Sequence, residues 1–394
     1  MSAAPRSRPS RNTRRGFGPL SLSVLLLTAC VDQNPTAPAV GDAPPAATAE
    51  GVDVASPVLG NRLAYLWAQT ASPPLNTPYA PDKQRNYNGF GLANSVTRTG
   101  TGAYRVLLGG MAKGATGKET FIVTAYAQTK LRCYIRDWND VASDLEVRIR
   151  CADFAGALTD SRFSFLMVGE NSLPGRLAFA WADQPSTTQY TPDLSFSWNP
   201  SGNPITITNL APGLDWGEYS ADLGAPGTTG GKETYLISPY GDANALCRLW
   251  AWTPASGIVD VDCFDGAGRM ADRFYNILQV EQGRPGMRFG YALADQPMNT
   301  APYSPTPSVS NSTGGAITIT RTQKGVYTVD FDGLQKPVAT RTEIVQVSPY
   351  QSIGACSIPA WPKTPSGNGL RVWVVCRNAA GQVADMSFNV VVLE

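Results

Sequence analysis

The chain has 394 residues, enough for two to three ordinary domains; 43% are apolar and 16% charged, and 38 Gly with 31 Pro describe a turn-rich globular protein rather than a disordered or collagen-like one. Lys and Arg number 32, Asp and Glu 31, and histidine is absent. That absence removes imidazole general bases, Ser-His-Asp and Cys-His nucleophile systems and every His-ligated metal site.

Residues 1–29 read as an export signal. Arg6, Arg8, Arg11, Arg14 and Arg15 occur without an acid, and the apolar run from Phe17 to Leu27 ends at small residues. The run is about eleven residues long, against the roughly twenty that a spanning helix needs. Leu27-Thr28-Ala29-Cys30 resembles the lipobox of bacterial lipoproteins, which implies acylation of Cys30 and attachment to a membrane through that anchor. Thr13-Arg14-Arg15-Gly16-Phe17 resembles a twin-arginine export motif, and both export routes stay open. Val31 replaces the Asp that resembles an inner-membrane retention signal, which points to the outer membrane or cell surface. Removing residues 1–29 leaves 27 basic against 31 acidic residues, and no basic cluster with aromatics survives, so nucleic acid is not an expected partner. Residues 30–60, rich in Pro and Ala, read as a tether that cannot form a core.

From residue 61 the sequence repeats three times. Leu63-Ala64-Tyr65-Leu66-Trp67-Ala68 recurs as Leu177-Ala178-Phe179-Ala180-Trp181-Ala182 and as Phe289-Gly290-Tyr291-Ala292-Leu293-Ala294, at offsets of 114 and 112. Tyr-x-Pro at 79, 190 and 303 follows, then Gly102-x-Tyr104, Gly217-x-Tyr219 and Gly325-x-Tyr327, then Val/Ile-x-x-Tyr ending at Tyr126, Tyr240 and Tyr350. The boundaries fall at 61–170, 171–283 and 284–394.

Six of the seven cysteines fall one pair per copy: Cys133 and Cys151, Cys247 and Cys263, Cys356 and Cys376. In an exported chain such pairing predicts disulfides. Each pair is centred on a turn-forming stretch, so each bridge crosses a hairpin, where antiparallel spacing brings Cα atoms to roughly 4.5–5.5 Å. Period-two patterns such as Leu145-x-Val147-x-Ile149-x-Cys151 place the cysteines on the core face and Glu146, Arg148, Arg150, Asp260 and Asp262 toward solvent. In the first copy the predicted strands are 62–68, 94–99, 103–108, 119–126, 131–138, 145–152 and 161–169. Seven short strands per copy give an all-β protein of three tandem disulfide-stapled β-sandwiches, an immunoglobulin-like arrangement being one form, with a small barrel as the alternative.

Candidate sites divide by whether the copies share them. Trp67 and Trp181 become Leu293, as expected where apolar volume is needed. Trp138, Trp252 and Trp361 each stand five residues after a cysteine, on the opposite face unless a bulge intervenes, and are expected to cover the hairpin end or pack between domains. Trp198, Trp216, Trp250 and Trp373 lack tryptophan counterparts and are the candidate sugar-stacking residues. Lys118-Glu119-Thr120 and Lys232-Glu233-Thr234 follow glycine-rich loops without P-loop order, and no Ser-x-x-Lys dyad occurs. Asp260-x-Asp262-x-x-Asp265-Gly266 offers oxygens to Ca²⁺, with turn chemistry favoured. Asp160, Asp272 and Asp385 recur after glycine turns; strung in line, three such residues would lie about 40 Å apart, beyond the 5–10 Å of a glycosidase pair, so a strand-cap role is expected.

The strand, Tyr-x-Pro, Thr97-Arg98-Thr99-Gly100-Thr101-Gly102-x-Tyr104 and Cys-x4-Trp pattern resembles a tandem repeat of secreted proteins from environmental bacteria, which implies an extracellular module and no particular ligand. The reading is a non-enzymatic, lipid-anchored binding, adhesion or scaffold protein whose partner is a surface glycan or protein. No cofactor, metal or catalytic residue is expected. The alternative is a carbohydrate-active enzyme using carboxylates of the middle copy.

Overall fold

In the first copy the described strands are Leu63–Ala68, Pro78–Tyr79, Asn86–Asn88, Asn94–Gly100, Ala103–Leu108, Glu119–Tyr126, Leu131–Val141, Asp144–Asp153 and Arg162–Gly169. These match the seven expected strands and add two short edge pieces. The computed structural model describes residues 62–114, 117–126, 130–170, 172–173, 177–224, 232–241, 244–281, 288–306, 308–334 and 342–394. Cys30 and the expected signal and tether lie outside them. Among the described residues the only helical piece is a 3-10 turn, Lys83–Arg85.

Each copy is a two-layer sandwich. In the first, one sheet runs Asn86–Asn88, Leu63–Ala68, Arg162–Gly169, Glu119–Tyr126; the other runs Pro78–Tyr79, Asn94–Gly100, Ala103–Leu108, Asp144–Asp153, Leu131–Val141. The disulfide joins neighbouring strands of one sheet, whereas the antibody-domain bridge joins two sheets. Cys133–Cys151, Cys247–Cys263 and Cys356–Cys376 have Cα separations of 4.1, 4.1 and 4.0 Å, and all six residues lie in the sandwich cores. These bridges assign the folded part to an oxidising, extracytoplasmic environment.

Two of the residues expected in solvent are buried. Glu146 accepts from Arg148 Nε at 3.0 Å, and Asp262 is gripped by Arg248 at 2.8 Å. The ion pairs allow carboxylates to sit beneath neighbouring side chains on the outer face, which alternation alone does not reveal.

The copies are not strung in line; the described residues form one compact unit. Leu63, Leu177 and Phe289, with Tyr65, Phe179 and Tyr291, meet in one cluster made from the far faces of all three inner sheets. Each inner sheet therefore has its own sandwich core on one face and this shared core on the other. One strand of each inner sheet, Glu119–Tyr126, Glu233–Pro239 and Ile344–Tyr350, brings backbone N–H groups to the centre, and a ring of hydroxyls satisfies them. Val123 N–H donates to Ser238 Oγ at 3.0 Å, Ile237 N–H to Ser348 Oγ at 2.9 Å, and Val347 N–H to Thr124 Oγ1 at 3.1 Å. The three donors are equivalent positions, as are the three acceptors, so the ring closes on itself. The second and third copies also share a nine-stranded sheet, joined by the parallel pairing of Leu249 with Tyr350.

Candidate functional site

The hairpin tryptophans occupy the seams between copies. A β-bulge interrupts each hairpin between cysteine and tryptophan, at Ile135/Asp137, Leu249/Ala251 and Ser357/Ala360, and returns the ring to the core side. Trp138 meets Tyr240 of the second copy at 5.0 Å, Trp252 meets Tyr350 of the third at 5.1 Å, and Trp361 meets Tyr126 of the first at 5.0 Å. Trp181 packs on Trp138 and Trp67 on Trp361. The indoles of these two are therefore seam residues, which the first-strand alignment read as core volume.

The recurrent aspartates form a structural clasp. Asp160, Asp272 and Asp385 accept from the N–H of Gly102, Gly217 and Gly325 at 2.7, 3.0 and 2.7 Å. The hydroxyls of Tyr104, Tyr219 and Tyr327 in turn accept from Ser161, Arg273 and Met386 N–H. The glycines have φ near 60° and lie against the backbone of a neighbouring strand or turn, so a Cβ is excluded twice over. Arg98 and Arg321 pair with their aspartates at 2.7 and 2.8 Å; at the equivalent position Asn209 donates to Asp272 at 3.2 Å. The expected strand-cap role is what the carboxylates perform.

The glutamate of the Lys-Glu-Thr segment also recurs, as Glu119, Glu233 and Glu343, all buried. Glu119 pairs with Arg62, Glu233 accepts from Ala255 N–H at 3.0 Å, and Glu343 accepts from Trp361 Nε1 at 3.1 Å. Burial pushes the Glu119 carboxyl up to about 7 against the pull of Arg62. Asp265, in the acidic stretch of the middle copy, caps its own turn by accepting from Ala267 and Arg269 N–H.

The four private tryptophans lie in separate places. Trp198 pairs its backbone with Phe179 and packs on the shared core. Trp250 lies beneath the Arg248 guanidinium at 4.6 Å, and Trp373 sits on a strand of the third copy's outer sheet. Trp216 is exposed in the turn 210–216 together with Leu210 and Leu214, at 48%, 44% and 65%.

One feature went unread in the sequence. Beside the hydroxyl ring a cavity of about 50 Å³ is lined by all three copies, including Val123, Ile237 and Val347 and the residues preceding each first cysteine, Arg132, Leu246 and Ala355. Arg132 is 4% exposed, and among the described residues none of its three guanidinium nitrogens has a hydrogen-bond partner. Its guanidinium lies 5.5 Å from the Phe154 ring centroid, and burial lowers its pKa to about 10, still cationic at neutral pH. The signal available in the sequence was the triplet Arg, Leu, Ala at one equivalent position: a charge private to one copy. Compared with known proteins, the chain matches no family model, no curated protein and no solved structure.

Proposed function

We propose that this chain is a non-enzymatic, lipid-anchored surface protein that binds or scaffolds, exported through residues 1–29 and held to the outer membrane by acyl chains on Cys30. The observation that carries the reading is the closed hydroxyl ring with its aromatic seams, which joins the three copies into one compact unit suited to presenting loops. The exposed turn with Leu210, Leu214 and Trp216 is the contact surface we assign to a glycan or protein partner. The recurrent carboxylates support a non-catalytic role because each is committed to a glycine, a tyrosine or a neighbouring side chain.

The test has two arms. Metabolic labelling with a fatty-acid analogue is expected to mark the wild-type chain and not Cys30→Ala. On a glycan array Trp216→Ala is expected to lose signal that Trp250→Ala retains. Polysaccharide hydrolysis abolished by a single Asp or Glu substitution in the middle copy establishes the enzyme reading instead.

A further inference from the structure

The centre of the molecule holds a charge that the fold does not need. The residue before the first hairpin cysteine is Arg132 in one copy, Leu246 in the next and Ala355 in the third, and all three line the same cavity. The last two show that this architecture accepts apolar side chains there. Arg132 is more than nine-tenths buried, and among the described residues no hydrogen-bond acceptor reaches its Nε, Nη1 or Nη2. Phe154 offers only a ring face, and the Asp153 carboxylate, whose Oδ1 accepts the N–H of Ala157 at 2.9 Å, acts on Arg132 through space without a hydrogen bond. A guanidinium does not escape burial by losing its proton, so a buried unpaired one calls for a counter-anion.

Size and wall chemistry narrow the anion. A water needs roughly 10–15 Å³ on the same measure, so a cavity of about 50 Å³ holds a handful of heavy atoms and no sugar ring. Val123, Ile237, Val347 and the prolines 239 and 349 supply apolar parts of its lining. Besides Arg132 its polar side chains are Tyr134 and Thr124, and Thr124 is already spent in the hydroxyl ring. A planar fork satisfies both oxygens of a carboxylate, and the apolar wall suits a short alkyl tail. Sulfate and phosphate would turn their remaining oxygens toward methyl groups. We propose that the axial cavity binds one small monocarboxylate, of acetate to propionate size, through a bidentate contact with Arg132. This site is independent of the Trp216 surface.

Calorimetric titration of the full exported protein with acetate, propionate, phosphate and sulfate tests it. Saturable one-to-one binding of the carboxylates is expected. Arg132→Leu, which copies the second repeat, should weaken it roughly 10- to 100-fold, the range of a lost charge-assisted pair. Arg132→Lys keeps the charge without the fork and should weaken it about 10-fold. Ala355→Leu keeps Arg132 and fills the cavity, and should abolish binding. If Arg132→Leu does not fold, the other two variants decide. The proposal is overturned by no saturable binding, by carboxylate binding that Arg132→Leu or Arg132→Lys leaves undiminished or that survives Ala355→Leu, or by phosphate or sulfate binding as tightly as propionate.

Discussion

The seam between the first and second copies and the seam between the second and third are built on one template and filled differently. At the first, Trp138 touches Phe121, Trp181, Phe196 and Tyr240, all within 5.5 Å between ring centroids. At the second, Trp252 touches Tyr235 and Tyr350, and Leu293 stands at the position of Trp181. Both seams keep the hairpin indole, the tyrosine of the next copy and the hydroxyl ring. What the copies require of each other is thus a tryptophan-tyrosine contact and a backbone clasp; the remaining rings are additions. At the third seam an Arg85 guanidinium, 4.5 Å from Trp67 and 4.7 Å from Trp361, adds a cation to the same template.

The comparison breaks most sharply at the indoles. Trp138→Ala should cost about 3 kcal/mol in denaturant unfolding, the lower end of the range for a buried aromatic, because the ring is half-buried. Trp252→Ala should cost roughly 1–3 kcal/mol less, because it forfeits two ring contacts rather than four. Equal losses would mean that the additional rings of the first seam contribute nothing. Removing a bridge, as in Cys247→Ala with Cys263→Ala, should cost about 3 kcal/mol. The three bridges close loops of 18, 16 and 20 residues, so the cost should be nearly the same in each copy. A marked difference between copies would trace the seam asymmetry to the hairpins instead of the aromatics.

The hydroxyl ring sharpens the comparison from the other side, since it is common to all seams. Thr124→Val leaves the Val347 N–H without its acceptor and should cost about 1–3 kcal/mol in the same melts. Ser238→Ala should cost less, because Thr124 also donates to Gln346 at 2.7 Å.

Much of this was legible in the sequence. Period two located the outer strands and the cysteine face, and turn residues located the hairpins, because those strands have one wet face and one dry face. The ring closure was not read, although its trace is present. Leu63–Ala68, Leu177–Ala182 and Phe163 to Val168 are nearly continuous apolar runs, and a strand that does not alternate is one buried on both faces. The bulges were equally hidden: five residues from cysteine to tryptophan is an odd spacing in a regular strand and an even one after a single extra residue. Arg132 escaped notice because its position faces solvent in an isolated hairpin and becomes interior only when three hairpins meet.

The smallest expected effect concerns the clasps, where the copies differ by one residue. The Arg321 hydrogen bond holds the Asp385 carboxyl below its ordinary range, and Gly325 N–H adds to it. A carboxylate whose folded pKa is depressed contributes stability above its unfolded value near 4, and loses it as pH falls through the folded value. Acid titration of Asp385→Asn should therefore show a shallower loss of stability below about pH 4 than the parent, with the acid midpoint moved by roughly half a pH unit or less. The middle copy has Asn209 where Arg321 stands, and its aspartate is held by neutral donors alone. An acid limb unchanged by Asp385→Asn would show that the Arg321–Asp385 pair adds nothing to the clasp beyond what neutral donors supply in the middle copy.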